Sequence, residues 1–336
     1  MKKNPERIII SRTDNLGDVI LTLPLAAALK NIYPNAKIIF LGKTYTRPII
    51  KLCEAVDEFA DWSEIEKLDS AEALKCFENL RADIIIHVFP NREIAKLAFK
   101  AEIPIRIGTS HRIYHWFYCT IKVNLSRKSS DLHEAQLNLK LIEVLGGKSL
   151  YSLQEIPFLY HFRKEIIKEY KAGEKFKLML HPGTKGSARE WGISNFSQLA
   201  SLLSPDEFQI YLSGTSEEGD RFRNEFARFS HVIDVTGNFN IEEFTSFILS
   251  CDGIVAASTG PLHIAAAAGK VAIGLYAPMR PIFPKRWAPL GVRASYHVLT
   301  PDCVKCKKSK ICPCIQGISP QEVQKNIEKG IENLNI

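Results

Sequence analysis

Short apolar runs alternate with amphipathic stretches along the whole chain. "RIII" at residues 7–10 reads as a buried strand, and "AKIIFLG", "ADIIIHVF" and "IPIRIG" follow it in the first half. Between them, "TYTRPIIKLCE", "SAEALKCFENLR" and "NREIAKLAFKA" carry apolar residues at helical spacing. "DLHEAQLNLKLIEVLGG", 131–147, predicts a long helix stopped by two glycines. The second half repeats the rhythm: "FKLMLHPG", "FQIYLSG", "HVIDVTG", "DGIVAAS" and "KVAIGLYAP" as strands, with "ISNFSQLASLL", "SEEGDRFRNEFARF", "IEEFTSFILS" and "PLHIAAAAG" as helices. Such alternation argues for βαβ units and parallel sheets, hence an α/β protein.

At 336 residues there is enough chain for two doubly wound domains in tandem, with a cleft between them. The polar stretch 161–176 is the candidate linker, which gives domains 1–165 and 166–318. A closing helix in 319–336 is expected to pack back on the first domain. No stretch approaches the roughly 20 apolar residues that span a bilayer, and the start lacks an apolar segment of signal-peptide length. Cytoplasm is the expected compartment.

One carboxylate stands out against this pattern. In "SRTDNLGDVILTLPLAAAL", 11–29, Leu16, Val19, Ile20 and Leu23 form a helical stripe, and Asp18 lies nearly opposite it. That places it at the carboxyl end of the first strand, where open α/β sheets bind ligands. Asn15 as an N-cap with Asp18 three residues on, a variant capping box, would account for the acid without chemistry.

Two loops of the second half have the makings of an anion site. In "VAASTGPLHIAAAAG", 255–269, a strand ends at Ser258 or Thr259, Gly260 permits close backbone approach, Pro261 suits a first helical turn and Gly269 closes the helix. Backbone N–H groups and the helix dipole converge there, and His263 could donate to a phosphate oxygen. "HPGTKGSAREWG", 181–192, supplies Thr184, Lys185, Gly186, Ser187 and Arg189, the hydroxyls, amides and cations that a diphosphate requires. It lacks P-loop spacing. No Gly-x-Gly-x-x-Gly follows the first strand, which counts against a dinucleotide dehydrogenase, and there is no Asp-x-Asp pair or His-Glu-x-x-His for a metal.

The net charge of +7 is concentrated. Arg92 to Lys128 holds eight Lys/Arg against Glu93 and Glu102, and Lys285 to Lys310 holds seven against Asp302. Either zone suits an anionic partner or is a solvated face. Within the first, Arg112 and His115 are candidate contacts to an acceptor, and the neighbouring Tyr114, Trp116, Phe117 and Tyr118 could stack on sugars, touch a membrane surface, or pack as an ordinary apolar face. Cys303, Cys306, Cys312 and Cys314 crowd into "CVKCKKSKICPC", which reads either as four thiolates for a structural zinc or as a reduced surface cluster.

These pieces together resemble the family 9 glycosyltransferases, the heptosyltransferases of the lipopolysaccharide inner core. The likeness rests on "RTDNLGDVILTLPLAAALK", "HPGTKGSAREWGISNFSQLA", "STGPLHIAAAAGK", "GLYAPMRPIFPKRWAPLG" and the tail ending in "ISPQEV". It implies a GT-B fold of two Rossmann-like domains facing a central cleft. It also implies inverting, metal-independent transfer from an ADP-sugar, with heptose the expected sugar and Asp18 the general base. Arg189 would neutralise the diphosphate, with Thr184, Thr259, Gly260 and His263 nearby.

The expected partners are the ADP-sugar and an anionic, lipid-linked glycan acceptor, with peripheral contact to the inner membrane and no nucleic acid; no cofactor is required for catalysis. The chain departs from the family at Ser258-Thr259-Gly260, where relatives often begin with Asp, and at Ala277, Arg280 and Pro281. One acidic donor contact is therefore missing here. Competing readings are a non-catalytic nucleotide- or glycan-binding relative, and a nucleotide-sugar epimerase on the same fold. Asp18, Arg189 and His263 together favour the enzyme that transfers.

Overall fold

Two parallel six-stranded sheets make up the structure, a computed structural model that describes residues 4–163, 174–280, 282–299 and 312–332. The chain divides into two units, Met1–Arg163 and Lys164–Ile336. Most of the stretch read as a linker, 161–176, lies outside the described residues.

The first sheet contains β1 (Arg7–Ser11), β2 (Lys37–Gly42), β3 (Glu58–Asp61), β4 (Ile84–His87), β5 (Ile105–Thr109) and β6 (Ile121–Val123), in the order β3-β2-β1-β4-β5-β6. Ile8, Ile9 and Ile10 of β1 and Ile84 to Ile86 of β4 are all buried, as expected of central parallel strands covered on both faces. The strand order reverses between β1 and β4, which end level with one another at Ser11 and His87. Ligands of such sheets bind outside the carboxyl ends at this reversal.

The second sheet repeats the plan with β7 (Phe176–His181), β8 (Phe208–Leu212), β9 (Val232–Asp234), β10 (Gly253–Ala257), β11 (Val271–Tyr276) and β12 (Ala294–Val298), in the order β12-β11-β10-β7-β8-β9. Its reversal lies between β7 and β10, paired in parallel from Gly253–Leu178 to Ala256–His181. One core cluster joins Leu178 and Leu180 of β7 to Trp191, Phe196 and Phe222.

Three helices differ from the sequence reading. The stretch after β1 is not one helix: it breaks into Leu16–Ile20 and Pro24–Ile32, because Pro24 has no N–H to extend the first segment and suits the start of a new one. The predicted long helix over 131–147 is α-helical only over Glu134–Leu139, then tightens to a 3-10 turn over Lys140–Leu145 and stops at Gly146, φ +96. The closing helix, Pro320–Glu332, which the sequence reading set against the first domain, packs within the second unit. It buries Val323 and Ile327 in the core of the second, against the helix Ile193–Leu202 and β11.

Candidate active site

In the first unit the chain leaves β1 at Ser11 and places Arg12, buried, between three carboxylates. Its guanidinium donates to Asp18 through Nη2, to Asp14 Oδ1 through Nε at 2.7 Å and to Glu134 Oε1 through Nη1 at 3.1 Å. Glu134, wholly buried, also accepts from Arg127 Nε at 2.8 Å. Asn138 accepts from Arg127 Nη2 at 2.9 Å and donates to the Leu21 carbonyl at 3.0 Å, which ties the network to the turn behind Asp18. That turn is also closed by Thr22 Oγ1, which donates to the Asp18 carbonyl at 2.8 Å.

Asp18 keeps 15% of its side chain exposed. Burial pushes its carboxyl up to about 6; Arg12 opposes that shift, while Asp14 and Glu134 add to it. Arg12 is itself held firmly charged, since the three acids outweigh the burial that disfavours its cation. Asn15 is the N-cap of Leu16–Ile20 with extended backbone, yet its side chain makes no cap bond. The capping-box account of Asp18 therefore fails: the carboxylate is held by a cation rather than by backbone amides. A carboxylate held in place, partly open and titrating near neutrality, is equipped to accept a proton.

In the second unit the two candidate loops leave β7 and β10, the strands that flank the reversal. The loop after β7 turns sharply at Lys185 and Gly186, with φ of +47 and +78. Thr184 and Ser187 spend their hydroxyls on the loop itself: Thr184 Oγ1 donates to the Ala188 carbonyl at 3.1 Å, and Ser187 Oγ donates to the Thr184 carbonyl at 2.7 Å. They shape the turn. Lys185 and Gly186 are exposed, while Arg189 is half-buried and its Nε has no hydrogen-bond partner.

After β10, Thr259 is the extended N-cap of the helix Gly260–Ala267, with Pro261 in the first turn. Its hydroxyl does not cap, and its Oγ1 is buried without a partner. His263 is buried in the same turn, whereas Ser258 is half-buried and bonds to Tyr276. Two orphaned buried donors, Arg189 Nε on the loop after β7 and Thr259 Oγ1 at the helix N-terminus after the neighbouring β10, are the features of an anion pocket.

The sequence reading missed Arg12, Arg127 and Glu134. Glu134 opens the helix Glu134–Leu139, all six residues of which are buried, so a charge at the head of a largely apolar stretch was the available signal. It also missed Glu218, the buried N3 acid of the capping box that Thr215 opens, with Thr215 N donating to its Oε2 at 2.9 Å. Glu218 lies against Gly183, where a Cβ would stand 2.1 Å from its Oε1; the glycine makes room for the acid beside the loop. His181, at the end of β7, bonds Ser213 Oγ through Nδ1 at 2.9 Å, and burial pushes it down to about 4, so it is neutral.

One expected site changes, and another lies partly outside the described residues. Arg112 is exposed at the start of the helix Ile113–Tyr118, but His115 faces inward, fully buried, with Nδ1–H donating to the Thr109 carbonyl at 2.9 Å; it is not placed to meet an acceptor. Cys303 and Cys306 lie outside the described residues. Cys312 sits in the apolar core beside Ile315 and Cys314 packs against it, and among the described residues no three His, Cys, Asp or Glu side chains gather to hold a metal.

Comparison with known proteins agrees with this architecture. A putative glycosyltransferase of Haemophilus influenzae is 26% identical over 301 residues, 85% of this chain and 86% of that protein. The lipooligosaccharide heptosyltransferase 2 of Campylobacter jejuni is 22% identical over 338 residues, 96% of this chain and 98% of that one. The structure of the Escherichia coli heptosyltransferase WaaC with ADP superposes with a TM-score of 0.73 at 16% identity, covering 96% of this chain and 99% of that one, which assigns the two Rossmann-like units to the GT-B fold. The family model described as glycosyltransferase family 9 (heptosyltransferase) matches residues 74–314, a stretch that takes in the whole second sheet and both of its loops. The chain belongs to this family and is a glycosyltransferase.

Proposed function

We propose that the enzyme transfers a heptose from an ADP-sugar to a lipopolysaccharide core or similar glycan, with inversion at the anomeric carbon and no metal ion in the chemical step. The observation that carries this reading is the state of Asp18: a partly open carboxylate at the reversal of the first sheet, held by Arg12 and raised by burial to about 6.

The acceptor hydroxyl gives its proton to the Asp18 carboxylate as its oxygen forms a bond to the anomeric carbon. The bond from that carbon to the diphosphate oxygen breaks, and the electron pair leaves with the ADP. Arg189, Lys185 and the N-terminus of Gly260–Ala267 meet the charge that develops there, with Thr259 and His263 as hydrogen-bond partners. Support for the nucleotide comes from the ADP bound to the E. coli relative, and support for the acceptor class from the name of the C. jejuni relative.

Incubation with ADP-heptose, with and without a core acceptor, tests the proposal. Slow ADP release that accelerates on adding acceptor is expected, with an inverted linkage in the product. Binding without release would make the chain a non-catalytic relative, and an altered sugar on an intact diphosphate would make it an epimerase.

A further inference from the structure

The helix Ile113–Tyr118 has one side locked to the protein and the other left in water. His115 is fixed inward by its bond to Thr109, and buried Cys119 follows the helix; both pack over Gly108 of β5, whose missing Cβ makes the room. The outer side carries Ile113, Phe117 and Trp116, which are 82%, 73% and 60% exposed. Trp116 is held in place, its indole N–H donating to the Ser110 carbonyl at 2.9 Å. Phe99, also exposed, extends the apolar surface through Tyr118, whose ring lies 5.7 Å from its own.

Cations frame this surface. Lys122 stands 5.5 Å from the Trp116 ring and Arg106 5.4 Å from that of Phe99, while Arg112 and Lys100 are exposed. The whole segment Arg92–Lys128 contains only two acids, and one of them, Glu93, lies 3.9 Å from Lys96. A contiguous patch of large apolar side chains ringed by Lys and Arg matches an interface with anionic headgroups outside and acyl chains beneath. No helix among the described residues is long and apolar enough to cross a membrane, so contact of this kind would lie on the surface.

We infer that this face docks on an anionic phospholipid bilayer, with Ile113, Trp116 and Phe117 entering the headgroup boundary. The inference rests on the reading that the acceptor is lipid-linked, and the topology gives it a purpose. β1 and β5 run parallel on either side of β4, so the helix Ile113–Tyr118 leaves the same end of the sheet that carries Asp18. A bilayer held there would deliver its lipid-linked sugars to the base.

The test is co-sedimentation of the full chain with vesicles of phosphatidylglycerol and phosphatidylcholine, and with phosphatidylcholine alone. Wild type is expected to bind the anionic vesicles. The variant Ile113→Ser/Trp116→Ser/Phe117→Ser is expected to lose binding by about tenfold or more, as is Ile113→Ser/Phe117→Ser, which leaves the Trp116 hydrogen bond in place. Both should keep the far-ultraviolet spectrum and the turnover of a soluble, lipid-free acceptor. Asp18→Asn should bind vesicles like wild type while turning over far more slowly, which separates docking from chemistry. Equal binding of the variants and wild type, no binding by wild type, or a wild-type dimer that the variants dissolve would each overturn the inference, the last in favour of a second copy of the chain.

Discussion

Arg12 holds Asp18 through one nitrogen and, through another, reaches Glu134, 122 residues further along the chain. The proposed base is therefore part of a buried circuit whose far end is a helix at the opposite extreme of the first unit. Position and proton affinity of Asp18 are set together, because the group that fixes its carboxylate is also the cation that lowers its pKa.

The circuit has opposed settings. Arg12 lowers the Asp18 pKa and Glu134 raises it. A base works when unprotonated, so kcat/KM should be retained above about 6 and lost as pH falls through it. Arg12→Ala should move that acidic limb to higher pH, and Glu134→Gln should move it to lower pH. A merely structural role for either residue would change the rate without displacing the limb.

Glu134 also bears on stability. It is a buried carboxylate shared by two guanidinium groups, Arg12 and Arg127. Removing one partner of a buried pair leaves uncompensated charge and costs about 3–5 kcal/mol. Glu134→Ala should lower the urea midpoint accordingly, and Glu134→Gln, which keeps the shape and hydrogen-bonding capacity, should cost less.

Donor binding is expected to depend on Arg189 and Thr259, whose buried polar atoms lack protein partners. A charge-assisted hydrogen bond to a diphosphate contributes about 1.5–3 kcal/mol. Arg189→Ala should therefore weaken ADP binding by roughly 10- to 100-fold, read as a smaller ADP-induced rise in melting temperature. Thr259→Val should weaken it less. UDP-sugars that bind tightly where ADP-sugars do not would overturn the donor assignment.

A methyl group at Gly108 would stand 2.6 Å from His115 Nδ1 and 2.7 Å from Cys119 Sγ. Overpacking of this kind costs about 1–3 kcal/mol. Gly108→Ala should destabilise the first unit by that amount and loosen the helix Ile113–Tyr118, seen as faster amide exchange at His115 and Cys119.

Central strands were legible because both of their faces are buried, which leaves uninterrupted apolar runs such as Ile8–Ile10 and Ile84–Ile86. β3, β6 and β12 were not, since these edge strands are short or half-exposed and carry no such run. Asp18 and the two loops could be singled out as candidates because each lies beside the strand that positions it. The circuit behind Asp18 could not, because Glu134 meets Arg12, and Arg127 meets Glu134 and Asn138, only through the tertiary fold. The aromatic stretch 113–118 concealed its orientation: six residues make too short a helix for periodicity to tell buried His115 from exposed Trp116 and Phe117.

The most direct measurement is the pH dependence of turnover for wild type and Asp18→Asn with saturating donor and acceptor. The proposed mechanism predicts a wild-type profile that falls below about 6, and an Asn variant that is flat there, slower by about 10²- to 10⁴-fold and melting no lower than wild type at neutral pH. The last point follows because a buried carboxyl with a raised pKa disfavours folding once pH passes that value. An Asn variant with wild-type turnover, or one that keeps the same acidic limb, would contradict the assignment of Asp18 as the base.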